Sequence, residues 1–170
     1  MGSVCGSDES VKLPHIQLLA LDAMQEFGES ILENLVQEME DRGTLFKEAG
    51  QTSLKGYTES TGKNLPRILV IMDEFQILFN NSTKRKVAMN CAELTKRIVT
   101  EGRAFGIHLL MSTQSTKVIS DLTLSHGTIE QMRIRIGLKC GENDARYLFS
   151  DQNDAKALAM MKGPIGTGYV

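Results

Sequence analysis

The sequence predicts a three-layer α/β fold, in which helices flank a mostly parallel β-sheet. Two aliphatic segments, 68–72 and 107–111, each have the length and composition of a strand. The first has no polar interruption, which is typical of a strand that is covered on both faces in the middle of a parallel sheet. A segment with helical periodicity separates the two strands, and this order indicates a parallel crossover connection.

Before the first strand, the sequence predicts a tail, a helix and a loop. Residues 1–14 are expected to be a flexible tail, so that the domain occupies residues 15–170. A helix is predicted over 23–46 with Asp22 as its N-cap, because apolar side chains recur there at steps of three and four. These side chains are Met24, Phe27, Ile31, Leu32, Leu35, Val36 and Met39. Residues 51–65 are polar and rich in turn-forming types, and are predicted to be a loop.

After the first strand, apolar spacing over residues 87–98 predicts a second long helix that ends near Gly102. The second strand leads into residues 115–130, which are expected to form a long polar loop or a broken helix. A third strand is predicted over 132–140, where Ile and Leu alternate with Arg and Lys, so that one of its faces is solvated or lies in an interface. The remaining predicted elements are short helices over 144–149 and 154–161.

Composition excludes several classes of function. The 170 residues include 19 Lys and Arg against 21 Asp and Glu, and this net charge of −2 excludes nucleic-acid binding by bulk positive charge. A few basic side chains on one surface are compatible with it. The 3 cysteines are widely spaced, so neither a zinc site nor a disulfide framework is expected. With no apolar run of the roughly 18–20 residues that cross a bilayer and no secretory signal, a reducing, cytoplasmic setting is expected.

Polar side chains follow both central strands, at the edge of a parallel sheet where ligands bind. Asp73 and Glu74 end the first strand, and Ser112, Thr113 and Gln114 follow the second. An aliphatic strand that ends in two acids is the Walker B pattern, in which the Asp helps to hold Mg²⁺ on a nucleotide and the second acid acts on the attacking water. Gln114 is within reach of the γ-phosphate or of that water. The alternative for the acids is helix capping after an apolar strand.

Several segments together resemble the FtsK/SpoIIIE family of motor ATPases, and the resemblance covers roughly residues 20–170. The segments are EMEDRGTLFKEAG, LPRILVIMDEF, GRAFGIHLLMSTQ, RIGLKCGENDAR and, more weakly, GPIGTGY. This similarity implies a RecA-like P-loop NTPase fold, with ATP and Mg²⁺ as cofactors. It also implies that Asp73 is the Mg²⁺-linked acid, that Glu74 is the catalytic base and that Gln114 is a polar sensor, with Thr113 beside them at the nucleotide.

The resemblance extends to subunit contacts and partners. Arg103, Arg135 and Arg146 stand at family-matching positions, and one of them is a candidate arginine finger, against the alternative of interface or surface ion pairs. The family implies a hexameric ring around double-stranded DNA, with a membrane anchor in another part of the full-length protein. Residues 80–86 and 115–130 are candidate DNA-facing segments. Lys84, Arg85 and Lys86 belong to the first of them, although a solvated loop is the alternative there.

The phosphate-binding loop of this ATPase class is missing from the sequence. Its pattern, G-x-x-x-x-G-K-[ST], wraps phosphates in backbone N–H groups, whereas the one Gly-Lys pair here, Gly62-Lys63, is followed by Asn64. In the family the loop precedes the helix predicted over 23–46. The chain is therefore interpreted as the C-terminal portion of a motor domain, and we expect poor ATP affinity from it alone.

Three functions are compatible with these sequence features. The first is the motor portion of a DNA translocase. The second is the same type of motor ATPase with protein as its cargo, as in type VII secretion ATPases, or with the role of a conjugative coupling protein. The third is a non-catalytic structural or regulatory subunit with a degenerate nucleotide site. The absent phosphate loop favours the third, and the presence of Asp73, Glu74 and Gln114 together opposes it.

Overall fold

A computed structural model describes residues 16, 24–80, 84–116, 125–149, 162, 164 and 168–169. Five α-helices, four strands and one short 3₁₀ helix lie in these ranges. In chain order they are α1 Gln25–Glu48, α2 Leu54–Thr61, β1 Ile68–Met72, the 3₁₀ helix Phe75–Ile77, α3 Arg85–Phe105, β2 Ile107–Met111, α4 His126–Gln131, β3 Gly137–Leu138, α5 Glu142–Phe149 and β4 Gly168–Tyr169. No helix among them is both long enough and apolar enough to cross a membrane.

The two predicted central strands are confirmed with their bounds. β1 and β2 pair in parallel, in a register that runs from Ile68 opposite Ile107 to Met72 opposite Met111. Helix α3 makes the crossover between them and ends at Phe105, before the C-cap Gly106, whose φ of 78° is left-handed. The predicted end near Gly102 is wrong, because this glycine lies within α3, where an added Cβ would stand 3.0 Å from the carbonyl oxygen of Ile107. The absence of a side chain at Gly102 therefore lets α3 pack closely against β2.

The main core lies between the sheet and the helices α1 and α3. Its fully buried side chains include Leu32 and Met39 from α1, Ile98 from α3 and Ile107 from β2. Arg42 of α1 is also buried. Its guanidinium donates to the Glu38 carboxylate and to the carbonyl oxygen of Phe105, each at 2.7 Å, and so ties α1 to the last residue of α3. Because its charge is paired and hydrogen-bonded, it is compatible with burial.

The opposite face of the sheet is open in the described part of the chain. Leu69 and Ile71 of β1 are 62% and 65% exposed, and Leu110 of β2 is 54% exposed. The prediction that β1 is covered on both faces is therefore wrong for the described residues. An uninterrupted aliphatic run shows that both faces of a strand can be buried, but the run does not contain the element that would bury the second face.

The segment predicted as the loop 51–65 contains helix α2, and this part of the prediction is wrong. Its N-cap is Ser53, whose side chain accepts a hydrogen bond from the backbone N–H of Gly56 at 3.3 Å. Leu54 and Tyr57 stand three positions apart and are both buried, while Gly62 ends the helix with a left-handed φ. The many polar residues around this apolar pair favoured a loop, although the pair has helical spacing.

The predicted third strand is much shorter than expected. Over 132–140 only Gly137–Leu138 is a strand, and it pairs antiparallel with Gly168–Tyr169 and not with β2. The alternation of side chains is real, but Ile134 is 77% exposed, so the apolar face has no covering element among the described residues. A periodic pattern identifies a face, whereas pairing depends on a partner strand.

The remaining predictions at element level have mixed outcomes. Helix α1 begins at Gln25 after Met24 as N-cap, so the predicted start at 23 is wrong by two residues. The helix predicted over 144–149 is confirmed as part of α5, and α4 falls in the segment expected to be a broken helix. The predicted tail 1–14, Asp22 and the helix predicted over 154–161 lie outside the described residues.

Cys91 gives a test of the core that uses chemical reactivity. Its thiol is fully buried, and burial together with nearby Glu29 raises the pKa of Cys91 to about 12. Since the thiolate is the reacting species, the raised pKa alone lowers its reactive fraction at about pH 8 by about a thousandfold relative to an exposed thiol. We expect a variant with Cys91 as its one cysteine to react with a disulfide reagent only at the rate of unfolding.

A variant that keeps only Cys140 is the matched control for this experiment. Cys140 is half-buried, and burial and Asp144 raise its pKa as well, but its sulfur is accessible to solvent. It is expected to react in the folded protein. Equal rates for the two variants without denaturant would contradict the packing of Cys91 in the core.

Candidate active site

The parallel pairing of β1 and β2 continues beyond the strands and brings their polar ends together. The backbone N–H of Ser112 donates to the carbonyl of Met72 at 2.9 Å, and that of Phe75 donates to the carbonyl of Ser112 at 3.0 Å. These two bonds hold Asp73 and Glu74 next to residues 112–114. The carboxyl ends of the two strands therefore form one edge, as expected for a parallel pair.

Glu74 has an unusual backbone conformation. Its φ of 51° and ψ of 46° are left-handed, and it is the one non-glycine residue with positive φ in the described part of the chain. This conformation costs roughly 1–2 kcal/mol in a residue with a Cβ. It turns the chain sharply, so that the ring of Phe75 enters the core while the preceding acids stay at the edge. Strain of this kind is concentrated at functional sites.

Two amide side chains hold the Glu74 carboxylate, one on each oxygen. Gln114 donates from Nε2 to Oε1, and Gln76 donates from Nε2 to Oε2. The predicted meeting of Asp73, Glu74 and Gln114 at one edge is confirmed by these contacts, whereas their catalytic roles stay predictions. A carboxylate held by two neutral donors keeps a fixed orientation and still has lone pairs to accept further hydrogen bonds.

Gln76 is a site residue that the sequence analysis missed, and Ser112 was placed at the end of the second strand without a role. Gln76 lies in the 3₁₀ helix and also accepts a hydrogen bond from the Thr113 hydroxyl, so it links both strand ends. The Ser112 hydroxyl donates to Oδ1 of Asp73. A polar residue between the apolar Phe75 and Ile77 was the available signal for Gln76. For Ser112, the signal for a contact with Asp73 was that each residue directly follows one of the two central strands.

The loop after β2 has a further anchor on α5. The backbone N–H and the hydroxyl of Thr116 both donate to Oδ1 of Asp144, at 2.8 and 2.6 Å. Thr116 is buried although it is polar. No local sequence pattern indicates this contact, because the two residues are 28 positions apart and belong to different parts of the fold.

The site is open and carries negative charge. Asp73 and Gln114 are exposed, and Glu74 is half-buried. Among the described residues, no group of three or more His, Cys, Asp or Glu side chains is placed to enclose a metal ion. One or two carboxylates at an open edge suit Mg²⁺, which keeps several waters and takes other ligands from substrate phosphates. The edge can therefore hold a hydrated cation and orient a water molecule.

The three predicted arginines lie in different places. Arg103 is in the last turn of α3, at the amino end of β2, and the strand separates it from the acids by about 13 Å at the usual rise per residue. Arg135 is half-buried in the segment before β3. Arg146 is exposed on α5, the helix whose Asp144 contacts the loop after β2. The structure brings none of them together with Asp73 and Glu74 in the described contacts.

Three basic residues begin α3. Lys84, Arg85 and Lys86 are all exposed, and Lys84 forms an ion pair with Glu26 that lowers the pKa of that carboxyl. Cations in the first turn oppose the helix dipole and so do not stabilise α3. The three residues form a small positively charged surface at the start of α3.

The comparisons with known proteins agree on one family. A family model described as FtsK/SpoIIIE matches residues 9–118. A DNA translocase FtsK of Staphylococcus aureus is 31% identical over 116 residues, which are 62% of this chain and 14% of that protein. A DNA translocase FtsK of Streptococcus agalactiae is 29% identical over 158 residues, which are 86% of this chain and 18% of that protein. The chain thus spans less than a fifth of these curated relatives.

A solved structure supports the fold. The conjugation coupling protein TcpA of pCW3, in its monomer form with ATPγS, is similar to this chain with a TM-score of 0.63 and 20% sequence identity. The match covers 82% of this chain and 40% of that one. The predicted RecA-like α/β fold, present here in part, is confirmed by this likeness.

Proposed function

The chain belongs to the FtsK/SpoIIIE family, and from that premise we propose that it is part of an ATP-driven DNA translocase. In this proposal it supplies the acids and amides of the ATPase site. The observation that carries the proposal is the contact of Gln114 with Glu74 at the carboxyl edge of β1 and β2. An acid and an amide that meet at this edge suit the positioning of a water molecule beside a nucleotide phosphate.

The residues at the edge fit Mg²⁺ and the reacting end of ATP. When bound, Mg²⁺ neutralises charge on the β- and γ-phosphates, and ATP supplies the phosphoryl group that is transferred to water. Asp73 would hold the ion through its water shell, and Thr113 would contribute a hydroxyl beside the phosphates. Glu74 would orient the attacking water and accept its proton, while Gln114 would hold that water or contact the γ-phosphate.

The remainder of the ATP site lies elsewhere in this proposal. The sequence has no G-x-x-x-x-G-K-[ST] loop, so the backbone N–H groups that cradle the phosphates come from polypeptide outside these 170 residues. One of Arg103, Arg135 and Arg146 would act on the nucleotide of a neighbouring subunit in a hexameric ring. Arg146 is favoured because α5 is hydrogen-bonded to the loop after β2.

Double-stranded DNA is the proposed cargo, and the named relatives are DNA translocases. Lys84, Arg85 and Lys86 would contact its phosphate backbone, because they are exposed and gather cations in a chain with a net charge of −2. A ring repeats such a small patch in every subunit and concentrates it at the pore. A cytoplasmic location, with a membrane anchor in another part of the protein, is proposed with this function.

DNA binding by the basic surface can be tested on the chain directly. We expect an Arg85→Ala, Lys86→Ala double variant to bind a fluorescent duplex more weakly at low salt. Each phosphate contact contributes about 0.9 to the slope of log K against log salt concentration, so the slope should fall by about 2. Fluorescence anisotropy at several salt concentrations measures both quantities.

A Lys55→Ala, Lys63→Ala double variant is the matched control, because it removes the same charge from exposed positions on and next to α2. It should keep the slope of the unmodified chain. Equal losses in the two variants would contradict the assignment of a DNA contact to the start of α3. Absence of any DNA binding at low salt would contradict DNA as the cargo of this chain.

A further inference from the structure

The loop that leaves β2 positions Gln114, and it is fixed on the β1 side. The Ser112 hydroxyl donates to Asp73, and the Thr113 hydroxyl donates to Gln76. The same hydroxyl of Thr113 lies 2.8 Å from the carbonyl oxygen of Ser115. These contacts fix the first half of the loop, up to the residue before Gln114.

The second half of the loop is fixed by α5. Oδ1 of Asp144 accepts two hydrogen bonds from Thr116, one from its backbone N–H and one from its hydroxyl. A carboxylate acceptor makes both of them charge-assisted and therefore stronger than neutral pairs. The helix is itself anchored, since Ala145 and Phe149 are buried and Tyr147 packs against the main core.

Gln114 depends on its backbone for its position. The side chain is exposed, so little packing restricts its rotamers, and it loses rotamer entropy when it binds Glu74. Thr116 is two residues away, which is about 7 Å of extended chain. A loop that is fixed at both Thr113 and Thr116 allows the backbone at Gln114 few other conformations. A loop that is fixed only at Thr113 would allow many.

We propose that Asp144 is a positioning residue that holds Gln114 against Glu74. It acts through Thr116 and touches neither Gln114 nor Glu74. The inference rests on the proposed function, because it gives α5 a role only if Glu74 and Gln114 form the ATPase site. It also means that a contact made on α5 reaches Glu74 through Asp144, Thr116 and Gln114, the last two being linked by the loop backbone.

The test uses the ¹⁵N-labelled 170-residue chain without nucleotide. The side-chain amide signal of Gln114 is identified by its loss in a Gln114→Glu variant, and the displacement that its hydrogen bond to Glu74 imposes on this signal is measured as the chemical-shift difference from a Glu74→Ala variant. When Asp144→Ala is added to both chains, we expect more than half of this displacement to disappear. Hydrogen exchange at the Thr116 amide should become about tenfold faster or more, because a bond to a charged acceptor is lost.

Two further variants separate positioning from general damage to the fold. Asp144→Asn keeps Oδ1 as an acceptor and should retain most of the Gln114 displacement. Asn143→Ala is the matched control, since its side chain is exposed on the same helix and it should leave both readouts unchanged. If Asp144→Ala reduced the Gln114 displacement only through general damage to the fold, restoring an acceptor oxygen with asparagine would not restore the displacement.

An unchanged Gln114 displacement in a folded Asp144→Ala variant would overturn the proposal. If that variant does not fold, Thr116→Val replaces it, because valine removes the hydroxyl and keeps the backbone donor. It should give a partial loss, and an unchanged displacement would again overturn the proposal. The readout is the Gln114–Glu74 hydrogen bond without ATP, so a failure of the ATPase proposal leaves this result interpretable.

Discussion

A Glu74→Gln variant is expected to hydrolyse ATP at least about 100-fold more slowly than the unmodified site, once the site is complete. The measurement uses a hybrid domain in which a phosphate-loop segment from a family relative precedes α1. Glutamine has the same shape and keeps one acceptor oxygen for the amide of Gln114 or Gln76, but it cannot accept a proton from water. The expected loss is in kcat, measured with and without duplex DNA.

The control for this prediction is Glu59→Gln, which changes an exposed acid on α2 and should leave kcat unchanged. The 170-residue chain without the added segment is expected to show no turnover above its own Glu74→Gln variant, because it lacks the phosphate cradle. Robust turnover by that chain would contradict the interpretation of the missing loop. A Glu74→Gln hybrid as active as the unmodified one would remove Glu74 from the mechanism.

The central strands and the meeting of the acids with Gln114 could be predicted from the sequence because both depend on local signals. An aliphatic run of five residues defines β1, four aliphatic residues and one histidine define β2, and the helix between them favours a parallel pairing. Parallel pairing alone then places Asp73 and Thr113 at the same edge of the sheet, and this placement depends on no other contact. The left-handed turn at Glu74 changes which side chains reach that edge, but not the edge itself.

The supporting contacts could not be predicted, because they depend on where distant elements pack. The bond between Asp144 and Thr116 needs the position of α5, and at a separation of 28 positions no local sequence pattern fixes that position. The open outer face of β1 has the same cause, since the sequence of a strand does not contain the residues that cover it. Helix α2 was missed for a local reason, as one buried pair, Leu54 and Tyr57, outweighs its many polar neighbours.

A Phe46→Ala variant is expected to lose about 3–5 kcal/mol of the free energy of unfolding, the largest stability effect that we predict. Phe46 is 1% exposed, and its ring lies 5.4 Å from that of Tyr57 and 5.8 Å from that of Phe105, which it stacks against. It therefore joins α1, α2 and the end of α3. Chemical denaturation measures the loss, and a fall in Tm of about 10 °C should accompany it.

Leu45→Ala is the control for this prediction, because Leu45 is the neighbouring apolar residue on α1 and is 38% exposed. It should cost about 1 kcal/mol or less, and a Phe46→Ala variant that loses no more than this would contradict the packing of the three elements. Phe46 lies near the amino end of β2, whereas Glu74 lies at the carboxyl edge. The folded Phe46→Ala variant should therefore keep the displacement of the Gln114 amide signal by Glu74, because the core at one end of the strands and the polar network at the other are held by different contacts.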